Sequence, residues 1–587
     1  MACRIKVLSH RRTILAQKGE ILAEVLQRSG IPLNLFCNQR GLCGKCVVEI
    51  VRSEQSTPAQ REKFWRKQKK LIRNQRLSCL FEIKSDLEIN VPSSSTLQEV
   101  PILPAVSRSL VSLKPAVKQY VLEIPRPQIS SPESLFELLL EGLGVRHLKI
   151  SSLLLKELGP RLEKAKYKVA VVLHRDKEII DLQPATESCG CFGLAIDVGT
   201  TTLVMDLVNL DTGQTVDTQA ALNSQASRGA DVISRITYAM CGREKAAELR
   251  TFVLDTLNRL IRRTLQKNRI PPSSVYEIVV SGNTAMNHLL LGVPVDSLAL
   301  APYHAVFSQF PYLSAQEAGF AIHPEAKVYI SPNIKSFVGG DIASGLLASR
   351  LDRRKGNLLL IDLGTNGEIV LKTGKTLLAT STAAGPAFEG MNISCGMPAL
   401  AGAVYKVEDA AAKLELSTLA NQPARGVCGT GLIDLVAIFL ERGQLSPKGA
   451  ILNSEKRLHV ANDIFLTQDD IRQMQLACAA IKTGIRLMLR RNGLREVDLD
   501  GIYIAGAFGN YLNIQNSMKI GLLPSLEERR IVFVGNSSLA GAKQLLVSLK
   551  ERERVEALIR KVRYRALASD PLFQDHFIKA LELKSWP

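Results

Sequence analysis

Two copies of one short pattern, an apolar strand ending in Asp-x-Gly-Thr, lie 165 residues apart in this chain of 587 residues. Residues 193–202 read GLAIDVGTTT, and residues 358–368 read LLLIDLGTNGE. In each copy the strand delivers a carboxylate to a turn whose glycine lets backbone amides approach phosphate oxygens, while the hydroxyl groups add hydrogen bonds. A sharp turn after a buried strand explains a single copy equally well. The repeat, however, predicts a duplicated α/β fold whose two loops grip a triphosphate from opposite sides.

The carboxylates of this pattern are candidates for catalysis. We expect Asp197 and Asp362 to hold Mg²⁺ through water, and Asp362 to orient the attacking water. The other nucleotide contacts are expected from the two loops and from a later glycine turn on the adenosine side, namely Gly199, Thr200, Thr201, Gly364, Thr365, Asn366, Gly367, Gly506, Ala507 and Phe508.

Other glycine-rich stretches favour turns over ligand sites. They lie at residues 281–285, 338–341, 384–390 and 427–431. Residues 374–376 (GKT) resemble the end of a Walker A loop, but Ile369 stands where that motif requires its first glycine. The sequence therefore contains no Walker A motif at this place.

A cysteine array occupies the first eighty residues. Its members are Cys37, Cys43, Cys46 and Cys79, so three of them follow the spacing C-x5-C-x2-C. Ferredoxin-type sites hold a [2Fe–2S] cluster in this way, although the plant-type spacing is C-x4-C-x2-C. Gly41 and Gly44 let amide groups approach the sulfur atoms. A structural zinc site is the alternative, but zinc ribbons normally present two C-x2-C pairs, and this array has one.

Length and composition predict several domains in a soluble, cytoplasmic protein. No uncharged apolar run is long enough for a membrane helix, and the first residues lack a secretory signal. Strand-like alternation predicts a ferredoxin-like domain at residues 1–92, and Ser- and Pro-rich composition a flexible linker at 93–127. A small middle domain is expected at 128–190, and the duplicated α/β domain at 191–587.

Positive charge is concentrated near the cysteines. Residues 1–90 contain 18 Lys and Arg against 8 Asp and Glu, which accounts for +10 of the formal net charge of +19. The densest stretch, residues 61–76, contains eight basic residues and one Glu, with Phe64 and Trp65 between them. A solvated helix face explains this stretch, as does an acidic protein partner attracted by long-range charge. Basic stripes with aromatic residues also bind nucleic acid, but we do not expect that partner here.

The two phosphate loops and the turn at residues 504–511 resemble the ATPase superfamily of actin, heat-shock chaperones and sugar kinases. The whole domain order resembles the reductive activators of corrinoid proteins, over essentially the whole chain. This order is a [2Fe–2S] domain, a Pro-rich linker, a middle domain and this ATPase. Motifs similar to those of that family are GADVISRI (229–236), SGNTAMNHLLLG (281–292), AAGPAFEG (383–390) and GNYLNIQNSMKIGLLP (509–524).

This resemblance implies a multidomain α+β and α/β chain with a β-grasp ferredoxin-like domain, a small α/β middle domain and a duplicated RNase H-like ATPase domain. It implies ATP-dependent transfer of one electron from the cluster to the cob(II)alamin-type cofactor of a corrinoid protein in a methyltransferase system, which restores Co(I). The family's cluster ligands carry over onto Cys37, Cys43, Cys46 and Cys79, with ATP and Mg²⁺ as the other cofactors. A low-potential electron donor and a homodimer formed through the ATPase are also implied.

Two other functions stay open on the residues alone. One is an ATP-dependent kinase or chaperone-like protein whose iron–sulfur cluster is structural or regulatory. The other is a zinc-containing nucleic-acid binder that uses the basic stretch, which is itself a departure from what the family leads us to expect.

Overall fold

The computed structural model describes residues 2–31, 33, 41, 44, 46–53, 58–67, 71–92, 95, 111–128, 133–229, 231–410, 413–506 and 511–586. Four residues predicted to form sites, Cys37, Cys43, Ala507 and Phe508, lie outside this part of the chain. None of the helices within it is both long enough and apolar enough to span a bilayer.

The N-terminal residues form a five-stranded mixed sheet. Its elements are β1 (Ala2–Val7), β2 (Arg12–Gln17), α1 (Leu22–Arg28), β3 (Val47–Arg52), α2 (Gln60–Lys67), β4 (Gln75–Leu77) and β5 (Leu87–Asn90). Strand β1 alternates strictly between exposed and buried residues, with Ile5 and Val7 in the core. The strand order is β2-β1-β5-β3-β4, and β1 runs parallel to β5. The predicted β-grasp ferredoxin-like fold is confirmed.

A second sheet follows, with the order β6-β8-β9-β7. Its elements are β6 (Val117–Glu123), α3 (Leu135–Gly142), β7 (Lys149–Ile150), α4 (Ser152–Lys164), β8 (Lys168–His174) and β9 (Glu178–Pro184). Ser134 caps α3 through a reciprocal capping box with Glu137. Leucines of α3 and α4, among them Leu139 and Leu158, pack with buried strand residues such as Val171. The structure thus contains the small α/β unit that was predicted.

Strand β6 differs from the sequence expectation, which placed residues 117–123 in the flexible linker. All seven of its residues pair with β8 in antiparallel register. The physical reason lies in composition: the Ser- and Pro-rich stretch ends before this strand, whose sequence VKQYVLE contains β-branched and aromatic residues that favour extended backbone.

The third sheet has the order β12-β11-β10-β13-β15-β14 and forms the first lobe of the large domain. Its elements are β10 (Phe192–Val198), β11 (Thr202–Asn209), β12 (Thr215–Leu222), α5 (Val232–Met240), α6 (Arg243–Asn268), β13 (Val275–Gly282), α7 (Thr284–Leu291), α8 (Asp296–Ala299), β14 (Leu313–Ser314), α9 (Ala315–Ala318), β15 (Lys327–Ile330) and α10 (Gly340–Ser349). Both faces of β10 are covered: Leu194 and Ile196 pack towards α6, and Ala195 packs on the opposite side. This explains its uninterrupted apolar run.

The fourth sheet, with the order β25-β24-β16-β17-β18-β26, forms the second lobe. The elements from here to the C-terminus are β16 (Leu358–Leu363), β17 (Gly367–Thr373), β18 (Thr376–Thr382), β19 (Ala403–Ala410), β20 (Lys413–Thr418), β21 (Gly426–Val427), α11 (Gly429–Glu441), β22 (Arg457–Ala461), β23 (Ile464–Thr467), α12 (Gln468–Arg490), β24 (Gly501–Ala505), α13 (Ile514–Lys519), β25 (Ile531–Gly535), α14 (Ser537–Val547), α15 (Leu549–Ile559), β26 (Val562–Tyr564) and α16 (Phe573–Ala580).

The two lobes repeat one design, as the sequence predicted. In each, three antiparallel strands (β10–β12 or β16–β18) are followed by a strand that pairs in parallel with the first, β13 in one lobe and β24 in the other. The lobes meet where α10 packs against α14. A Cβ on Gly345 would lie 2.8 Å from the Ser537 Oγ, and one on Gly541 would clash with the Ser344 carbonyl. Small residues therefore allow these central helices to approach closely, next to the cleft that holds both phosphate loops.

Candidate functional site

Each predicted phosphate loop is a tight connection between antiparallel strands. In the first, between β10 and β11, the Gly199 N–H donates to the Thr202 carbonyl at 3.0 Å, and a Cβ on Gly199 would lie 2.6 Å from that oxygen. In the second, between β16 and β17, the Gly364 N–H donates to the Asn366 carbonyl at 3.1 Å. The first turn is too narrow for any side chain at position 199, which accounts for its glycine.

Gly367, which was also predicted to contact nucleotide, has a packing role in the structure. It is the first residue of β17, and a Cβ there would clash with Ile481 of α12. Its carbonyl accepts a hydrogen bond from the Thr382 Oγ1 at 3.1 Å. Packing of α12 against the sheet is therefore sufficient to explain this glycine.

The hydroxyl groups of the two loops face one another across the cleft. The Oγ1 atoms of Thr201 and Thr365 are 3.5 Å apart. Both hydroxyls donate to the same carboxyl oxygen, Oε2 of Glu389. The bond from Thr201 is 2.7 Å long, and the bond from Thr365 is shorter. One carboxyl oxygen thus already bridges the two loops, at a position where hydroxyl donors from both sides converge.

A buried arginine supports the backbone of the first loop. Arg235 of α5 is fully buried; its Nη2 donates to the Thr200 carbonyl at 2.5 Å and its Nε to the Gly229 carbonyl at 2.9 Å. Burial lowers the pKa of Arg235 to about 9, so the side chain remains charged at neutral pH. On the other side of the loop, Asn283 Nδ2 donates to the Thr200 Oγ1 at 3.1 Å. Thr200 is therefore fixed at both its carbonyl and its hydroxyl.

Asp197 lies at the N-terminus of α14. Its carboxylate accepts hydrogen bonds from Asn536 Nδ2 at 2.8 Å and from Ser538 Oγ at 2.7 Å. Burial raises the pKa of Asp197, while these two hydrogen bonds act in the opposite direction. The positive end of the helix dipole also favours the anion. The strand therefore delivers the aspartate to a prepared position at the start of α14, a helix that packs on the sheet containing β10.

Two further carboxyl groups share the floor of the cleft with Asp197. Burial raises the pKa of Asp362 to about 8, and the charges of Asp341 and Asp197 act in the same direction. Burial and the charge of Asp197 raise the pKa of Asp341 to about 7. Across the described part of the chain, no three His, Cys, Asp or Glu side chains are close enough together to hold a metal ion on their own. A divalent cation bound with water and phosphate oxygens would relieve the repulsion among these carboxylates.

The predicted adenosine turn begins beside the second loop. Gly506 follows β24 with φ = 101°, a conformation that favours glycine. A Cβ at this position would lie 3.0 Å from both the Asp362 Oδ1 and the Leu363 carbonyl. Gly506 is thus placed next to the cleft, whereas the predictions for Ala507 and Phe508 fall outside the described residues.

Two of the four predicted cluster cysteines, Cys46 and Cys79, lie close together at the ends of paired strands. The Ser78 N–H and Oγ both donate to the Cys46 carbonyl at 2.9 Å, and both cysteines are buried. Gly41 and Gly44 have φ of 68° and 63°, the left-handed backbone that suits a loop wrapped closely around sulfur atoms. Thiols next to such a loop fit a [2Fe–2S] cluster, while Cys37 and Cys43 lie outside the described residues.

Models of known protein families match this chain along almost its whole length. Four family models match along the chain: the 2Fe-2S iron-sulfur cluster binding domain at residues 5–84, the RACo linker region at 107–188, the RACo middle region at 192–354 and the C-terminal domain of RACo, the ASKHA domain, at 356–586. The models follow one another along the chain in the same order as the four sheets described above.

Full-length relatives decide the family. The corrinoid activation enzyme RamQ of Eubacterium limosum is 30% identical over an alignment of 587 positions, which covers 95% of this chain and 95% of that protein. A solved structure described as a reductive activator for corrinoid, iron-sulfur protein is 33% identical, with a TM-score of 0.75 over 99% of this chain and 98% of that one. This chain is a member of the reductive activators of corrinoid proteins. A [Co(II) methylated amine-specific corrinoid protein] reductase of Methanosarcina barkeri is 25% identical over 439 residues, covering 67% of this chain and 77% of that protein.

In this reductive activator, several cleft residues were missed by sequence reasoning. Arg235, Asn283, Asp341 and Glu389 all contact or adjoin the phosphate loops, yet three of them lie in glycine-rich stretches that were predicted to be ordinary turns. A signal was available in the segments 229–236, 281–292 and 383–390, which resemble motifs of the family. The structure gives these motifs their common physical role, because all three support the phosphate loops.

The described residues of the basic stretch in this reductive activator lie in helix α2, in the segment 71–74 and in strand β4. Glu62 is fully buried and accepts from Arg76 Nε at 3.0 Å and from the Leu77 N–H at 2.8 Å. Trp65 is also buried, and its Nε1 donates to the Gly41 carbonyl at 2.9 Å. Lys63 is exposed to solvent. Glu62 thus anchors the helix on β4 and Trp65 anchors it on the cysteine loop, while Lys63 presents positive charge to solvent.

Proposed function

We propose that this chain is an ATP-dependent reductive activase that transfers one electron to the Co(II) of a corrinoid protein in a methyltransferase system and so restores Co(I). The single observation that carries the proposal is the union, in one chain, of a cysteine-bearing β-grasp domain and a two-lobed cleft with facing phosphate loops, similar over its full length to a corrinoid activation enzyme.

We further propose the domain division inferred from the sequence, with one adjustment. Residues 1–92 form the cluster domain, and residues 191–587 form the ATPase. The middle domain, inferred at 128–190, gains β6, so the linker from residue 93 ends before Val117. A cytoplasmic location, a low-potential electron donor and a homodimer formed through the ATPase complete the proposal.

The energetic need for ATP follows from the potentials. When bound, a [2Fe–2S] cluster supplies one electron, from a potential near about −400 mV in plant-type ferredoxins. For one electron, each 59 mV or so of adverse potential is about a tenfold equilibrium penalty, so Co(I) stays scarce for a cobalt of lower potential. An ATPase that binds the Co(II) and Co(I) clients differently in its open and closed states can shift this balance.

We assign the nucleotide contacts as follows. Gly199 and Gly364 shape the two loops through their turn hydrogen bonds, the amides and hydroxyls of residues 200–201 and 365–366 bind the phosphates, and Asp197 and Asp362 hold Mg²⁺ through water. A phosphate oxygen between the loops would accept hydrogen bonds from Thr201 and Thr365, the same donors that Glu389 occupies. A phosphate oxygen and the Glu389 carboxyl group both accept hydrogen bonds from these hydroxyls and compete for one position. ATP binding therefore requires Glu389 to give up at least one of these bonds. Phosphate binding is thus coupled to a movement of residues 383–390.

The cluster ligands in this proposal are Cys37, Cys43, Cys46 and Cys79. Support comes from the burial of Cys46 and Cys79 at neighbouring strand ends, beside a glycine-containing loop. Trp65 covers this loop and would limit access of water to the cluster. The chain's own contribution is thus to hold the thiolates in one place and to keep the site dry.

The test is an anaerobic absorption spectrum of a corrinoid protein in its Co(II) form, mixed with this chain, a low-potential reductant and ATP. We expect a Co(I) band that requires both this chain and nucleotide. Cys46→Ser should lose the band and keep ATP hydrolysis, whereas Cys3→Ala, which changes a buried cysteine elsewhere in the same domain, should keep both. Phosphorylation of a small molecule by Cys46→Ser without any Co(I) requirement would instead support the kinase alternative.

A further inference from the structure

The cluster domain contacts the ATPase through an ion pair at Arg228. Its Nη1 lies 2.8 Å from Oε1 of Glu24 on α1 of the cluster domain. On the ATPase side its Nε and Nη2 donate to Glu248 Oε1 at 3.1 and 2.8 Å, and the rings of Tyr238 and Phe252 lie 5.9 and 5.7 Å from its guanidinium carbon. The ATPase therefore holds Arg228 in position by itself, and Glu24 is the partner that can leave.

The exposure of the two side chains agrees with this asymmetry. The Arg228 side chain is 18% exposed, whereas that of Glu24 is 39% exposed. An ion pair with one partly exposed member contributes little net stability, because water competes for the carboxylate. A contact of this strength can hold a tethered domain and still release it readily.

The segment that carries Arg228 is bonded to the first phosphate loop at its beginning. Asn223 Nδ2 donates to the Gly199 carbonyl at 2.9 Å, and the Asn223 N–H donates to the Thr201 carbonyl at 2.8 Å. The short 3₁₀ helix Ser224–Ser227 then leads directly to Arg228, whose N–H is bonded to the Gln225 carbonyl. Only the four residues 224–227 thus separate the loop contact at Asn223 from the ion pair at Arg228.

The same segment returns to the loop at its other end through Arg235. Besides its bonds to Thr200 and Gly229, this side chain donates from Nη1 to Gln225 Oε1 at 3.2 Å. Gly229 has no room for a side chain, because a Cβ would lie 2.7 Å from the Arg235 backbone nitrogen. Every carbonyl of loop residues 199–201 is therefore bonded to one compact segment, and that segment presents Arg228 to the cluster domain.

We propose that Arg228 is the docking point of the cluster domain on the ATPase, and that residues 223–229 and 231–235 couple this docking to nucleotide binding at the first phosphate loop. In the proposed site, phosphate is bound by the N–H and hydroxyl groups of residues 200–201, and the segment binds the carbonyls of residues 199–201, so a shift of the loop towards phosphate moves the segment. The inference rests on the proposed function, because electron transfer requires the cluster to approach the corrinoid of the client protein. Linkage requires the effect to be reciprocal.

The experiment compares full-length, cluster-containing chains prepared without oxygen: wild type, Glu24→Gln, Glu24→Lys, Arg228→Gln and the double variant Glu24→Gln/Arg228→Gln. Glu82→Gln is the matched control, since it removes one negative charge from the same domain at a residue whose ion-pair partner, Lys84, is also in that domain. Small-angle X-ray scattering reports undocking, and calorimetric titration with a non-hydrolysable ATP analogue reports nucleotide affinity. Cluster absorbance verifies that each variant is folded.

We expect Glu24→Lys to increase the radius of gyration and Glu82→Gln to leave it unchanged. The Kd for the ATP analogue should change by about two- to fivefold, in one common direction for the Glu24 and Arg228 variants, because the coupling cannot exceed the free energy of one partly exposed ion pair. The double variant should change Kd no more than the larger single change, as expected for residues that act through one contact.

Unchanged scattering by Glu24→Lys would overturn the docking point. Altered scattering with an unchanged Kd in all variants would overturn the coupling and leave only a passive contact. Neither measurement contains a corrinoid protein or a reductant, so these outcomes are independent of whether the proposed electron transfer is correct.

Discussion

Replacing Asp362 with Asn is expected to reduce the number of protons released when Mg²⁺ and an ATP analogue bind. Because burial and neighbouring carboxylates raise the pKa of Asp362 to about 8, this group carries a proton in most molecules at neutral pH. A cation held by carboxylate oxygens requires the ionised form. Binding must therefore expel the proton, and affinity must rise with pH until the group is ionised in the free protein.

The size of the effect follows from the pKa values. At pH 7 a group with a pKa of about 8 carries about 0.9 proton, and one with a pKa of about 7, the value for Asp341, carries about 0.5. Ionising Asp362 at pH 7 costs about 1.4 kcal/mol, so affinity should be about tenfold lower there than well above pH 8. The Asp362→Asn variant loses this 0.9 proton or so, and because Asp362 is mostly uncharged at pH 7, the substitution leaves the charge that faces Asp341 nearly unchanged there.

Isothermal titration calorimetry in buffers of different ionisation enthalpy measures this release directly. The wild type should release about 0.9 proton more at pH 7 than Asp362→Asn, and the difference should vanish well above pH 8. Asp255→Asn, an exposed aspartate on α6, is the control and should match the wild type. Equal proton release by wild type and Asp362→Asn at pH 7 would refute the protonated state of this carboxyl group and the cation contact assigned to it.

Three further changes test the packing around the sites. Arg552→Met leaves the fully buried Glu277 without the partner that lies 2.8 Å away, so it should lower the free energy of unfolding, measured with urea, by about 3–5 kcal/mol. Adding Glu277→Gln should restore part of that loss, and an equally unstable double variant would contradict this explanation. Burial lowers the pKa of His174 to about 3, so protonation of this residue in the unfolded chain below about pH 6.5 destabilises the fold. The free energy of unfolding of the wild type relative to His174→Asn should therefore fall by about 1.4 kcal/mol on going to about pH 5.5. A difference in stability that does not change with pH would exclude this role. Trp65→Ala removes the ring that covers the Gly41 loop and should speed loss of cluster absorbance in the presence of a chelator; an unchanged rate would show that this ring does not protect the cluster.

Sequence reasoning predicted most where the chemistry is contiguous. The strand, carboxylate, glycine and hydroxyls of each phosphate loop lie within about ten residues, and the three cysteines of the cluster loop lie within a similar span. Local patterns of this kind survive folding unchanged, because the backbone alone sets their geometry. The prediction failed for β6, where an average over a long Ser- and Pro-rich window concealed seven strand-forming residues.

What the sequence by itself determined was therefore the fold class, the family and the two loops. Tertiary structure alone decided what surrounds them. Glu389 bonds Thr201 across 188 positions, Ser538 bonds Asp197 across 341, and Glu24 meets Arg228 across 204. No local periodicity connects such pairs, because they are brought together only when the lobes close on a common cleft and the cluster domain folds back on the ATPase. The raised pKa of Asp362 has the same origin, since burial and facing carboxylates exist only after the chain has packed.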